Sequence, residues 1–186
     1  MLKLKALNEI LEYSFLAIAI YIIIFTDYNY LLVIPLFPLF IFFKYIHWYD
    51  KKNKLNMPDY YYTLGAIAVY PTIMGEFFFE FYYKILYYDK ILHLIIPIYL
   101  AVVVNFFLKK NLRFNKLFIV LIVMGISGLW EMFEFFVDTI SGSAIMQGVF
   151  INMKELTGGF EDTMKDSFFV LIGAIIGAFI PQRLKK

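Results

Sequence analysis

The sequence contains no cysteine and only two histidines among its 186 residues. The absence of cysteine excludes disulfides, thiolate nucleophiles, iron–sulfur clusters and cysteine-ligated zinc, so a metal ion would need imidazole or oxygen ligands. The sequence also lacks a Glu-x-x-His motif, which disfavours a di-iron helix bundle. Serine-hydrolase and P-loop signatures are absent as well.

Charged side chains are scarce, at 17% of the residues, whereas 62% of the residues are hydrophobic. A soluble domain has about 25% charged and about 45–50% apolar residues. The apolar residues occur in runs of about 20, which match the thickness of a lipid bilayer. We therefore expect an integral membrane protein.

The apolar runs predict an all-α, polytopic membrane helix bundle that forms a single transmembrane domain over residues 1–186. We find no internal repeat and no flexible linker. One long loop is expected at residues 139–163 and is interpreted as a lid. Its apolar stretch Ala144 to Met153 predicts that the loop lies in or on the outer membrane interface. The six predicted transmembrane helices cover residues 8–25, 30–47, 60–82, 90–108, 117–138 and 164–180.

The positions of the basic residues predict the orientation of the bundle. Most of the 17 Lys and Arg residues fall in one set of loops, together with both termini, and the other set holds Lys84, Lys90, Lys154 and Lys165. Because basic loops stay cytoplasmic, we expect a multi-pass protein of the cell (cytoplasmic) membrane with both termini inside. The basic residues form thin rims beside the helices, so a nucleic-acid partner is not expected.

Acidic residues and one histidine recur at helical spacing near the outer ends of four predicted helices. Charged groups within apolar spans are costly, and those present usually face the interior of the bundle. If these side chains converge, they form an acidic pocket with one histidine at the extracytoplasmic end. The sets are Glu76 with Glu80, Asp89 with His93, Glu131 with Glu134 and Asp138, and Asp162 with Asp166.

This pocket predicts a divalent-cation site, with Mg, Mn, Ca or Zn as the candidate ions. Lys90 and Lys165 flank the pocket and are candidates for binding a phosphate. The candidate catalytic residues are Asp89, His93, Glu131 and Glu134. The candidate metal ligands are His93, Glu131, Glu134, Asp138, Asp162 and Asp166.

Several of these residues also have simpler interpretations. Asp162 is suited to capping the last helix, and Asp89 and Asp138 are suited to the membrane–water interface. Glu76 and Glu80 are compatible with acids that extend towards that interface.

Small residues on the last helix point to close helix packing. Gly173 and Gly177 form a small-x-x-x-small face. The expected partners on the preceding predicted helix are Gly125, Ser127 and Gly128. This face is interpreted as a packing feature, and the packing would also bring Glu134 and Asp166 together in the acidic pocket.

The C-terminal half of the chain resembles the uncharacterised YjdF-type prokaryotic inner-membrane proteins and is more loosely similar to VanZ-like membrane proteins. The matching segments are YDKILH at Tyr88–His93, WEMFE at Trp130–Glu134, Gln147-Gly148, and the DTMKDSFFVLIGAIIG segment that begins at Asp162. The segment from Val149 to Gly159 departs from the pattern. The resemblance implies a membrane fold and supports the residues of the acidic pocket as the site. It does not indicate which reaction, if any, the protein catalyses.

Three functions remain open from the sequence. The first is a metal-dependent membrane hydrolase or transferase that acts on a lipid or lipid-linked headgroup, with membrane lipids as its partners. The second is a cation- or proton-coupled transporter. The third is a structural polar network without catalytic activity. The sequence predicts neither a substrate nor an oligomeric state.

Overall fold

The structure, a computed structural model, describes residues 2–25, 36–111, 115–141, 146–147, 149–151 and 154–181. Within these residues the chain forms helices and one short hairpin, so the helical fold class is confirmed. The chain divides into two compact units, residues 1–67 and 68–186. The elements are α1 (Leu2–Phe25), α2 (Leu36–Asn53), α3 (Asp59–Phe77), α4 (Phe81–Lys84), α5 (Tyr88–Asn111), α6 (Lys116–Ser141), β1 (Val149–Ile151), β2 (Lys154–Thr157) and α7 (Gly159–Phe179).

In the first unit, α1 packs against α2 through aromatic rings and a partly buried ion pair. The rings of Phe15 and Phe43 stack with centroids 5.5 Å apart. The ammonium group of Lys44 lies 2.6 Å from a carboxylate oxygen of Glu12, whose side chain is buried. This pairing offsets part of the cost of placing a carboxylate between apolar helices.

In the second unit, α5, α6 and α7 form a three-helix bundle. The first turns of α5 and α7 and the last turns of α6 lie at the same end, so α5 runs parallel to α7 and antiparallel to α6. Small and β-branched side chains fill the core, which allows the helices to pack closely. The buried core residues are Ala101, Ile119, Val120, Val123, Val170, Ala174 and Ala178.

The close approach of α7 is made to α5 and not to α6, which corrects the sequence-based expectation. A Cβ atom on Gly173 or Gly177 would overlap the carbonyl oxygen of Leu94 or Ile98, respectively. In the described residues, a Cβ on Gly125 or Gly128 of α6 would meet no atom within 4 Å. The glycines of α7 therefore allow backbone contact with α5, while those of α6 lie on an open face.

The start of α5 is anchored to the second half of α3. The Tyr88 hydroxyl donates a 2.7 Å hydrogen bond to the carbonyl oxygen of Pro71. The Tyr88 ring occupies the space where Gly75 has no side chain. Two residues in the connection, Glu80 and Tyr87, have positive φ angles of 55° and 65°. The connection thus fixes the first turn of α5, which carries the charged residues described below.

The predicted outer loop contains a hairpin in which β1 pairs antiparallel with β2. The loop returns towards α6, because the Asp138 carboxylate accepts backbone N–H groups from Met146 and Gln147 at 2.9 and 2.8 Å. Parts of the predicted lid at residues 139–163, including half of its apolar stretch, lie outside the described residues, so the lid stays a prediction.

Three helical segments in the described residues are long and apolar enough to cross a membrane: Ala6–Phe25, Tyr88–Leu108 and Lys116–Ile140. By length and composition the described residues thus contain three candidate spans, where the sequence predicted six. Helices α2 and α7 each carry more than two charged side chains. The tyrosines at 60–62 and Glu76 lower the mean hydropathy of α3.

Candidate functional site

The first two turns of α5 present three functional groups at one end of the bundle. Asp89 lies in the first helical turn, where the positive end of the helix dipole favours a carboxylate. His93 follows four residues later, so its side chain lies above Asp89 on the same helix face. Lys90 is rotated by about 100° from Asp89, which turns it towards α7.

Lys90 is the centre of a group of carboxylates. Its ammonium nitrogen lies 2.9 Å from Asp89 Oδ2 and 2.6 Å from Asp166 Oδ1, and it also donates a short hydrogen bond to Asp162 Oδ1. The Lys90 side chain is only 2% exposed. Three carboxylates from two helices therefore surround one buried cation.

His93 lies beside this group and extends it towards α6. Its Nε2 atom is 3.4 Å from Asp89 Oδ1 and 3.9 Å from Asp166 Oδ1. Its Nδ1 atom is 3.8 Å from Glu131 Oε1. Asp89, His93 and Asp166 each offer a donor atom within 4.8 Å of the other two, a spacing that could hold a metal ion.

Two buried glutamates supply the α6 side of the site. Glu131 is 6% exposed, and its buried Oε1 atom has no hydrogen-bond partner among the described residues. Glu134 is 8% exposed and accepts a 2.6 Å hydrogen bond from the indole N–H of Trp130. The Trp130 indole thus supplies a hydrogen bond to one carboxylate oxygen of Glu134. Oε1 of Glu131 has no hydrogen bond and remains available to a ligand.

Gln147 connects the outer loop to this site. Its side-chain amide donates to the Thr163 hydroxyl at 3.2 Å and approaches the backbone carbonyl oxygen of Glu131 at 3.5 Å. Thr163 also interacts with the Glu131 carboxylate. Gln147 therefore links α6 and α7 directly above the charged residues.

The electrostatic balance of the site is strongly acidic. The described site residues include five carboxyl groups. They include at most two cationic groups, the Lys90 ammonium and, when it is protonated, the His93 imidazole. Leaving buried carboxylates uncompensated is costly, so the surplus must be balanced by protons or by a bound cation. The site residues are Asp89, Lys90, His93, Glu131, Glu134, Asp162 and Asp166.

The structure does not bring every candidate residue to this cluster. Lys165 forms a 2.6 Å ion pair with Glu161 on the exposed side of α7. Asp138 binds the backbone of the returning loop, as described above. Glu80 forms an exposed ion pair with Lys84 at 2.8 Å, and the side chain of Glu76 lies outside the described part of the structure. The proposed catalytic, phosphate-binding and metal-binding roles stay predictions.

The sequence interpretation did not assign three residues that contribute to the geometry. Trp130 and Thr163 appeared only beside acidic residues, and Gln147 appeared only as part of a short motif. The spacing of Trp130 and Glu134 by four residues could have indicated their hydrogen bond. No local spacing could have placed Gln147 against Thr163, because that contact depends on how the loop returns.

Comparisons with known proteins support a membrane protein. The family model described as Predicted membrane protein (DUF2238) matches residues 7–186, which is nearly the whole chain. No curated protein and no solved structure matches the chain. The coarser expectation, a membrane protein family, is thus confirmed, and the narrower resemblance to YjdF-type and VanZ-like proteins stays a prediction.

Proposed function

Because the chain belongs to the Predicted membrane protein (DUF2238) family, we propose a function for it at the membrane. A divalent cation binds to Asp89, His93 and Asp166, and the protein uses this ion as a membrane hydrolase or transferase. The substrate is a lipid or lipid-linked molecule whose headgroup reaches the end of the bundle.

The observation that carries the proposal is the grouping of donor atoms from Asp89, His93 and Asp166 within 4.8 Å. Two carboxylates and one imidazole suit a hard or borderline ion such as Mg, Mn, Ca or Zn. The unpartnered oxygen of Glu131 lies 3.8 Å from His93. It supports the proposal because a buried carboxylate oxygen without a partner is costly unless a ligand or proton meets it.

The position of the cluster supports a headgroup as the substrate. Asp89 and His93 lie in the first turns of an apolar span, and Glu131 and Glu134 lie near the end of another. The cluster is therefore placed near the end of these spans, where lipid headgroups are found. A bound divalent cation polarises phosphoryl or carbonyl oxygens of such a group. Glu131 is placed to accept a proton from the attacking nucleophile.

The first experiment measures Mn²⁺ binding and thermal unfolding of the purified protein in detergent. Mn²⁺ should raise the melting temperature and a chelator should lower it, because an ion that binds only the folded state stabilises it. His93→Ala should remove this difference. His47→Ala, which changes the only other histidine and lies in α2, is the matched control and should keep the difference.

A second experiment tests the reaction. Purified protein is incubated with Mn²⁺ and vesicles that contain phosphate-bearing lipids, and release or exchange of headgroups is measured. Glu131→Gln should abolish turnover while Mn²⁺ still binds. Binding that is identical in wild type and His93→Ala, or turnover that persists in Glu131→Gln, would contradict the proposal.

A structural polar network is the second candidate, because Lys90 already joins carboxylates of α5 and α7. It predicts that a chelator leaves the melting temperature unchanged. It also predicts that Lys90→Met and Asp162→Asn destabilise the protein in the absence of any ion. The chelator experiment therefore separates the two candidates.

The proposal includes a membrane topology in which α7 also crosses the bilayer. Apart from the Glu161–Lys165 ion pair in its first turns, its exposed side chains are apolar and include Phe160, Met164 and Phe168, whereas Asp162 and Asp166 are buried. The charge of Asp162 and Asp166 keeps α7 out of the helices that qualify as membrane spans by composition. Both side chains are buried against the bundle, so they do not face lipid. If α2 and α3 also cross, six helices span the bilayer and both termini lie on the same side. The protein is then a multi-pass protein of the cytoplasmic membrane with both termini in the cytoplasm.

This topology has a direct test. A cysteine placed at Lys186 of the cysteine-free chain should resist an impermeant thiol reagent in intact cells and react after lysis. Labelling in intact cells would place the C-terminus outside and contradict the six-helix arrangement.

A further inference from the structure

Lys90 contacts two of the carboxylates that a bound cation would use, those of Asp89 and Asp166. We infer that Lys90 is an internal competitor of the divalent cation and that its ammonium must move away when the ion binds. This inference rests on the proposed cation site. It assigns Lys90 a role in ion affinity and selectivity, which differs from a role in binding phosphate.

The competition follows from two shared carboxylates. Asp166 Oδ1 is 2.6 Å from the Lys90 ammonium and 3.9 Å from His93 Nε2. Asp89 places Oδ2 at 2.9 Å from Lys90 and Oδ1 at 3.4 Å from His93. A cation bound between Asp89, His93 and Asp166 would therefore face the ammonium across a few ångströms, and like charges repel strongly at that distance.

Lys90 does not complete the site by itself. The Oε1 atom of Glu131 is buried, has no hydrogen-bond partner among the described residues and lies 3.8 Å from Nδ1 of His93, whereas the ion pairs of Lys90 are with aspartates. The free oxygen indicates that the site has capacity for a ligand beyond the lysine.

A tethered ammonium also favours divalent over monovalent ions. Its local concentration is high because the chain holds it beside the carboxylates. Na⁺ carries the same charge as the ammonium and gains little by replacing it, whereas a divalent ion interacts more strongly with the same oxygens. The lysine can yield because its four-carbon side chain is flexible.

The test compares Lys90→Met with Lys90→Arg in the full-length protein. Met retains most of the side-chain volume without the charge, so the Mn²⁺ dissociation constant, measured by electron paramagnetic resonance, should fall on the order of tenfold, equal to about 1.4 kcal/mol. Discrimination against Na⁺ should also weaken. Lys90→Arg keeps the charge and should bind Mn²⁺ no more tightly than wild type. Lys165→Met, which removes an exposed lysine of the neighbouring helix, is the control and should leave binding unchanged.

Stability gives an independent readout. Lys90→Met leaves Asp89, Asp162 and Asp166 without their cation, so it should melt at a lower temperature than wild type when no ion is present. Added Mn²⁺ should raise its melting temperature by more than it raises that of wild type. If Lys90→Met does not fold without ion, the Mn²⁺ dissociation constant is measured on the double variant Lys90→Met/Asp162→Asn. This variant removes one charge of each sign.

The outcomes distinguish this inference from the proposed function. Mn²⁺ binding to wild type that depends on His93 but is unchanged or weakened in Lys90→Met would overturn the inference and leave the cation site in place. Binding to Lys90→Met but not to wild type would support the inference and overturn the proposed function. Absence of Mn²⁺ binding to every variant would overturn both.

Discussion

Replacing the α7 glycines tests the packing that brings the acidic residues of α7 to α5. A Cβ at Gly177 would lie 2.7 Å from the Cβ of Ala101 and would overlap the carbonyl oxygen of Ile98. A Cβ at Gly173 would lie 3.2 Å from the Cβ of Pro97. These neighbours are backbone or short side-chain atoms, so the clash can be relieved only if the helices separate.

The expected magnitude follows from two opposing terms. Alanine in place of glycine within a helix gains about 1 kcal/mol from helix propensity. Overpacking costs about 1–3 kcal/mol, and the upper end applies where the backbone must move. Gly177→Ala should therefore lower the free energy of unfolding by about 2 kcal/mol.

The matched control is Gly128→Ala on α6, where the added Cβ meets open space. It keeps the propensity gain and avoids the clash, so it should be at least as stable as wild type. The two variants should differ by about 3 kcal/mol. Unfolding in mixed micelles, followed by circular dichroism, measures the difference. Equal stability of Gly177→Ala and Gly128→Ala would refute the close contact between α5 and α7.

Three further substitutions test individual contacts. Tyr88→Phe removes the hydrogen bond to the Pro71 carbonyl and should lower the unfolding free energy by about 1 kcal/mol, measured in the same unfolding assay. Trp130→Phe leaves the Glu134 carboxylate without its indole donor and should cost about 1.5–3 kcal/mol, with a value near zero arguing against a buried Glu134. Lys165→Gln removes an exposed ion pair and should change stability by at most about 1 kcal/mol.

The helical elements could be predicted from the sequence because each depends on local apolar patterning. The predicted helix at 117–138 corresponds to α6, and the one at 90–108 corresponds to α5, with small differences at the ends. The number of membrane-crossing helices was harder to predict. Composition does not reveal whether a charged residue such as Asp166 faces lipid or is buried against another helix.

The site was predicted only where its residues share a helix. The four-residue spacing of Asp89 and His93 places them together, since helix geometry fixes that relation. The position of Lys90 between two helices could not be predicted, because it depends on which helix packs beside α5. Spacing also could not separate Asp166 from Lys165, which is adjacent in sequence but lies on the exposed face of α7.

The glycine contacts and the ion contacts between α5 and α7 restrict different movements. Glycines spaced by four residues would allow α7 to slide by one turn, about 5.4 Å, because Gly177 would then meet Leu94. Such a slip would place Asp166 and Val170 where Asp162 and Asp166 now lie beside Lys90, so Asp162 would lose its contact with the ammonium group. The glycines therefore set the distance between the helices but leave their axial offset ambiguous, and the charged groups remove that ambiguity by selecting a single register.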